Sequence, residues 1–135
     1  MSNQFTILHL KMMQNGIRLF NEGQFWECHE DLEDPWMECN HEISKYVFWA
    51  IIQVATALYH FENKNLVGAT GMLNKAKEKF KVCESLEGPL LRDYLSWDTL
   101  KKLVNEIPDK PSLEDFSKLY QFKFKEIPRD LHSKS

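Results

Sequence analysis

The sequence predicts an all-α fold, a compact single-domain bundle of five or six helices. Three observations carry that prediction. Apolar residues recur at the period of amphipathic helices in one segment after another. The segments are parted by short turn signals, Asn21-Glu22-Gly23, Asn63-Lys64-Asn65 and Glu87-Gly88-Pro89. No stretch alternates apolar and polar residues as a half-buried strand does. At 135 residues, 43% of them hydrophobic, the chain is about one domain long and carries enough apolar side chains for a core.

The first helix is expected from Thr6 to Phe20, with Ile7, Leu10, Met13, Ile17 and Phe20 on one face and Thr6 as its cap. Gly23 can take the left-handed conformation that closes a helix, so Asn21-Glu22-Gly23 reads as a helix-to-helix turn. The second helix is the acidic one. Proline disfavours helix in the residue before it and removes a hydrogen bond, so Pro35 predicts a kink or an end near Asp34, with Trp36 after the bend.

From Ile43 to Phe61 the only Lys, Arg, Asp or Glu is Lys45. Val47, Ile51, Val54, Leu58 and Phe61 make one face of this third helix, and Tyr46, Trp49, Gln53, Thr56 and His60 make a second, aromatic and polar one. A helix covered on both sides is central, so it is expected to be the spine of the bundle. The fourth helix runs from about Leu66 to Cys83, buries Leu73, Ala76 and Phe80, and turns Lys75, Lys77, Lys79 and Lys81 mostly to solvent. Gly68, Ala69 and Gly71 allow close backbone approach at its start. Leu90 to Glu106 reads as one helix or two short ones, and Ser112 caps a last helix with Asp115 at the capping-box position. The bundle is expected over residues 1–122 with its motif-bearing heart at 17–80. Residues 123–135, where charge alternates around Phe124 and Ile127 and Pro128 limits any helix, are expected to be a partly disordered tail.

A formal net charge of −3 and a pI near 5.9 argue against a nucleic-acid or anionic-membrane surface as the main business of the protein. Leu19 to Ser44 holds eight acids and no lysine or arginine, so the rest of the chain is net positive. A solvated acidic face or a self-complementary homodimer contact would both explain that asymmetry. Cys28, Cys39 and Cys83 form an odd set without a Cys-x-x-Cys pair, which suits reduced thiols in a cytoplasmic protein. No signal peptide is apparent at the start, and no apolar run reaches the roughly 20 residues that span a bilayer.

Chemistry concentrates between Phe20 and Trp36, a stretch with six carboxylates. On a helical wheel His29 and Glu33 fall inside the apolar arc with Phe25, Leu32 and Trp36, while Glu27, Asp31 and Asp34 fall opposite and Glu30 sits at the arc's edge. Buried ionisable groups are costly unless paired, so this stretch marks a candidate site facing the polar stripe of the third helix. Three readings of it stand side by side. His29, Glu33, Gln53 and His60 satisfy one another as a buried network that fixes the register of two helices. Alternatively the seam, with Glu27, Trp36 and Trp49 added, recognises a small molecule or a partner protein. In the third reading His29, Glu33 and His60 hold a divalent metal and Glu30 acts as general base of a hydrolase; this last departs from His-Glu-x-x-His, which needs histidine where Glu33 stands. The four tryptophans read first as core and rim packing. Carboxylates around Cys28 would raise its thiol pKa, which argues against nucleophilic catalysis.

The motif Phe20-Asn-x-Gly23-x-Phe25-x-Glu27-x-His29-Glu30-x-Leu32-Glu33-x-x-Trp36, followed by Ile52-Gln53-x-Ala55-x-Ala57-Leu58-Tyr59-His60 and by Asn65-x-x-Gly68-Ala69-x-x-x-Leu73-x-x-Ala76, resembles the bacterial family called domain of unknown function 309. The resemblance covers about Ile17 to Phe80. It implies a compact all-α bundle and assigns no activity. By motif position it points to Glu27, His29, Glu30, Glu33, Trp36, Gln53 and His60 as site residues.

Overall fold

The computed structural model describes residues 4–39, 42–125, 127, 128 and 131. Among them seven α-helices form: α1 (Ile7–Asn21), α2 (Phe25–Glu38), α3 (Lys45–Glu62), α4 (Leu66–Val82), α5 (Pro89–Leu95), α6 (Trp97–Glu106) and α7 (Ser117–Gln121), with 3₁₀ turns at Cys83–Leu86 and Leu113–Phe116. The expected five or six become seven because the Leu90–Glu106 segment breaks at Ser96, whose φ of 49° is left-handed and ends one helix before the next begins. No strand forms among the described residues.

Local signals account for most of the boundaries. Thr6 caps α1 through a capping box closed by His9: the Thr6 backbone N–H donates to His9 Nδ1 at 2.9 Å. Gly23 takes a φ of 78° in the turn to α2, and Asn65 Oδ1 accepts from the Gly68 N–H at the start of α4. Ser112 and Asp115 form the expected box, here at the head of the 3₁₀ turn. Of the kink or end expected near Asp34, the end is corrected, since the helix runs through Pro35 to Glu38. Interior proline costs about 3 kcal/mol. Pro35 is itself buried beside Phe25, Cys28 and Leu32, and at about 1.5–3 kcal/mol for each large apolar side chain that buried face outweighs the lost bond.

The spine expectation holds. α3 packs on α2 along one side and on α4 along the other, while α1 backs α2, and Val47, Phe48, Ile51, Val54 and Leu58 are wholly buried. Gly68 gives α4 its close approach to α3, because a Cβ there would stand 2.9 Å from His60 Cγ; Gly71, expected to do the same, faces open space. Two of the four lysines expected outward are engaged: Lys77 donates to the Ile107 carbonyl, and Lys79 lies over Trp49.

The C-terminal segment closes the bundle on the α1–α2 turn. Asn21 pairs with the backbone of Phe124 in both directions, Nδ2 to O at 3.0 Å and Oδ1 from N–H at 2.8 Å, and the Phe124 ring meets Phe20 edge-on at 4.8 Å. Of the tail expected to be partly disordered, Phe124, Ile127 and Leu131 are buried; residues 126, 129, 130 and 132–135 lie outside the described residues. No helix among the described residues is long and apolar enough to cross a membrane.

Candidate functional site

α2 presents two different sides. Phe25, Cys28, Leu32 and Pro35 are its buried residues, and the next positions round the helix, His29, Glu33 and Trp36, border a cleft of about 220 Å³ against α3. Trp49, Ile52, Gln53 and Thr56 supply the α3 wall, and Met72 of α4 closes the cleft. Five of the eight site residues expected from sequence therefore meet: His29, Glu33, Trp36, Trp49 and Gln53.

The other three do not. Glu27 and Glu30 are exposed on α2 and border no part of the cleft, so Glu30 does not stand where a general base for this site would. His60 lies at the C-terminal end of α3, with Nδ1 3.4 Å from Asn65 Nδ2 and its ring against Gly68 and Tyr59. It braces the α3–α4 turn. Among the described residues His29 and Glu33 gain no third His, Cys, Asp or Glu donor within metal-binding reach; the group of three that does converge is His9, Cys39 and Glu42. The wheel also placed Glu33 too deep, since its side chain is 47% exposed while that of His29 is 17% exposed.

His29 is oriented from below. Its Nδ1 lies 3.1 Å from the Trp26 carbonyl, which can only accept, so the ring carries a proton on Nδ1 and turns Nε2 towards Glu33 Oε2 at 3.4 Å. The Trp26 ring packs at a tilt against His29, 4.6 Å between centroids, and against Tyr59 at 5.0 Å, which restricts the imidazole. Thr56 spends its hydroxyl on the Ile52 carbonyl at 2.8 Å.

Two buried polar atoms of residues that border the cleft have no protein partner. Trp36 Nε1 and Gln53 Oε1 are both buried and both unbonded within the protein, the only such side-chain atoms among the described residues. Gln53 is 6% exposed. The Trp36 and Trp49 rings lie 5.3 Å apart, Tyr46 stacks on Trp49 at 5.5 Å, and Lys79 Nζ stands 4.4 Å above the Trp49 ring. Lys45 Nζ reaches both tryptophans, at 5.6 Å and 5.3 Å. Burial, the largest influence on it, pulls the Lys79 ammonium below its ordinary pKa. The cleft thus joins an aromatic pair, Trp36 and Trp49, with Lys45 and Lys79 against those rings, to the His29–Glu33 pair.

Sequence reasoning missed Thr56 as a site residue although it shares the Trp49–Gln53 stripe at helical spacing. Met72 left no comparable signal, because only the packing of α4 on α3 brings it in. The three cysteines are free and buried as expected of packing residues. Burial, with a lesser push from Asp31, raises the Cys28 thiol to about 12, and burial foremost raises Cys83 to about 12 as well.

Residues 13–72 match the model of a family described as "Domain of unknown function (DUF309)". All eight residues around the cleft fall inside that match, with Met72 its last position. The chain is also similar to an uncharacterized protein, YpuF, of Bacillus subtilis (strain 168), 39% identical over 49 residues that make up 36% of this chain and 28% of that protein. No solved structure matches the chain. The resemblance carried by the Phe20–Trp36 motif is therefore a match of the whole cleft: over residues 13–72 this chain carries the pattern of the DUF309 family.

Proposed function

We propose that the protein is a binding module whose α2–α3 cleft recognises a small molecule, or a single side chain of a partner, that brings a hydrogen-bond acceptor to Trp36 and a donor to Gln53. The observation that carries this reading is the pair of unpartnered buried atoms, Trp36 Nε1 and Gln53 Oε1, on two residues that border one cleft. Leaving a buried polar group unsatisfied costs about 1–3 kcal/mol, and native structures hold few of them. Two on the border of one small cleft are the pattern of a site built for a ligand. Trp36 and Trp49 offer flat apolar walls to a planar group, while Lys45 and Lys79 favour a ligand that is neutral or anionic beside those rings.

The test is a ligand screen by nuclear magnetic resonance on the wild-type protein, with every hit repeated on Gln53→Leu and Trp36→Phe. Ligands of the cleft should lose at least about tenfold in affinity in one or both variants, the worth of one lost hydrogen bond of about 1.4 kcal/mol. Gln53→Leu without ligand should be neutral or stabilising. Hits indifferent to both variants, or a Gln53→Leu protein destabilised by more than about 2 kcal/mol as a broken structural network would be, would sink the reading.

A further inference from the structure

A second group of chemically active residues lies away from the cleft. His9 projects from the first turn of α1, Cys39 is the C-cap of α2, and Glu42 stands in the connection to α3. One donor atom from each, an imidazole nitrogen, a sulfur and a carboxylate oxygen, lies within 4.8 Å of the others. The His9 Nε2 to Glu42 Oε1 separation is 3.4 Å. That is long for a charge-assisted hydrogen bond, which runs about 2.7–2.9 Å, but it is the edge of a tetrahedron with metal–ligand bonds of about 2.1 Å. His9 and Cys39 are buried, at 7% and 2% exposure. Glu42 is held from behind: the wholly buried Ser44 hydroxyl donates to Glu42 Oε1 at 3.0 Å, as the outer partner of a ligating carboxylate does.

We propose that His9, Cys39 and Glu42 form a three-ligand site for a divalent transition-metal ion, best matched to zinc, that pins the start of α1 to the α2–α3 connection. The donor set selects the metal. A sulfur, a nitrogen and a single oxygen suit zinc and not magnesium or calcium, which take oxygen donors in larger number. A thiolate, a carboxylate and a neutral imidazole also cancel the charge of a divalent ion, which a mostly buried site requires. The side chain of Glu42 is 35% exposed, which leaves the cluster a route to solvent.

Binding redistributes two protons. The Thr6 N–H donates to His9 Nδ1, so the free imidazole carries its proton on Nε2. On metal binding Nε2 gives its lone pair to the ion, the ring proton moves to Nδ1 and faces Thr6 Oγ1 at 3.0 Å. The Cys39 thiol proton leaves to solvent, so one proton is released per ion. The capping hydrogen bond from Thr6 N–H is lost in the exchange, and the amide of Thr6 therefore reports occupancy.

The experiment titrates cobalt(II) into the full, tag-free, metal-stripped chain and follows absorption. Wild type should show near-ultraviolet thiolate-to-cobalt bands and visible bands of tetrahedral strength that saturate at one equivalent, and added zinc should bleach them. Cys39→Ser should remove the near-ultraviolet bands, and His9→Gln or Glu42→Gln should each weaken binding at least about tenfold. Cys28→Ala, Cys83→Ala and the cleft variant His29→Ala should leave the spectrum unchanged. Glu42→Gln changes a partly exposed connection residue, so it keeps the test open if His9→Gln fails to fold. Absence of the bands in folded wild type, or bands that survive Cys39→Ser, would overturn the proposal.

Discussion

Leu32 of α2 occupies the space a side chain on Gly16 of α1 would need: a Cβ built on Gly16 would stand 2.5 Å from Leu32 Cδ2 and 2.6 Å from Cγ. Both residues are buried, Leu32 completely. The acidic helix that carries the site is therefore seated on α1 through a glycine contact. Gly16→Ala should lose about 1–2 kcal/mol in urea unfolding, because overpacking of about 1–3 kcal/mol outweighs the gain in helix propensity of about 1 kcal/mol. With Leu32→Ala added, the double variant should be more stable than the sum of the singles by at least about 1 kcal/mol. An additive pair would mean the helices do not meet there.

Leu58 tests the central place of α3. Its side chain is wholly buried on the helix that packs against both α2 and α4, and Leu58→Ala should cost about 2–5 kcal/mol as a cavity variant. A loss under about 0.5 kcal/mol, the usual effect of a surface substitution, would remove α3 from the centre of the fold.

Glu33 and His60 were natural partners on the helical wheel, yet they share neither cleft, hydrogen bond nor ion pair among the described residues. In the cycle of Glu33→Leu, His60→Leu and the double variant, the coupling energy should stay within about 0.5 kcal/mol. His60→Leu should cost stability on its own through the α3–α4 turn. Coupling above about 1 kcal/mol would reinstate a buried network across the seam.

Cys28 and Cys83 should resist alkylation. With thiols raised to about 12 by burial, almost no thiolate exists near neutral pH, and the thiolate is the reacting species. Iodoacetamide at about pH 8 should modify both slowly in the native protein and rapidly in urea, where thiol pKa values return to about 8.5. The sign for stability follows from the same shift. A thiol pKa higher folded than unfolded contributes fully below the unfolded value and is lost as pH rises towards the folded one, so unfolding free energy should fall between about pH 8.5 and 12. Fast native labelling of Cys28 would contradict its complete burial.

Helix phase is a local property, and the residues that depend on it alone were legible. Thr6, Gly23 and the Ser112–Asp115 box act within a few positions of themselves, and the two periodic stripes of α3 set which side faces α2, which is why His29, Glu33, Trp36, Trp49 and Gln53 could be gathered from the wheel. What depended on how helices meet could not be. His60 shares the stripe of Gln53 and Trp49, but at its position Tyr59, the neighbouring residue, meets Trp26 of α2, and the turn residues Asn65 and Gly68 capture the imidazole. Pro35 breaks an isolated helix by rule, and the burial of its neighbours overrode that rule. The trio of His9, Cys39 and Glu42 spans 33 positions between its first and last members, with no motif spacing to announce it. Met72 and the buried Phe124, Ile127 and Leu131 belong with it. Sequence by itself determined the helices, their caps and their sides, because those rest on contacts within a turn or two; only the tertiary structure decided which sides touch, because that rests on the packing of the whole bundle.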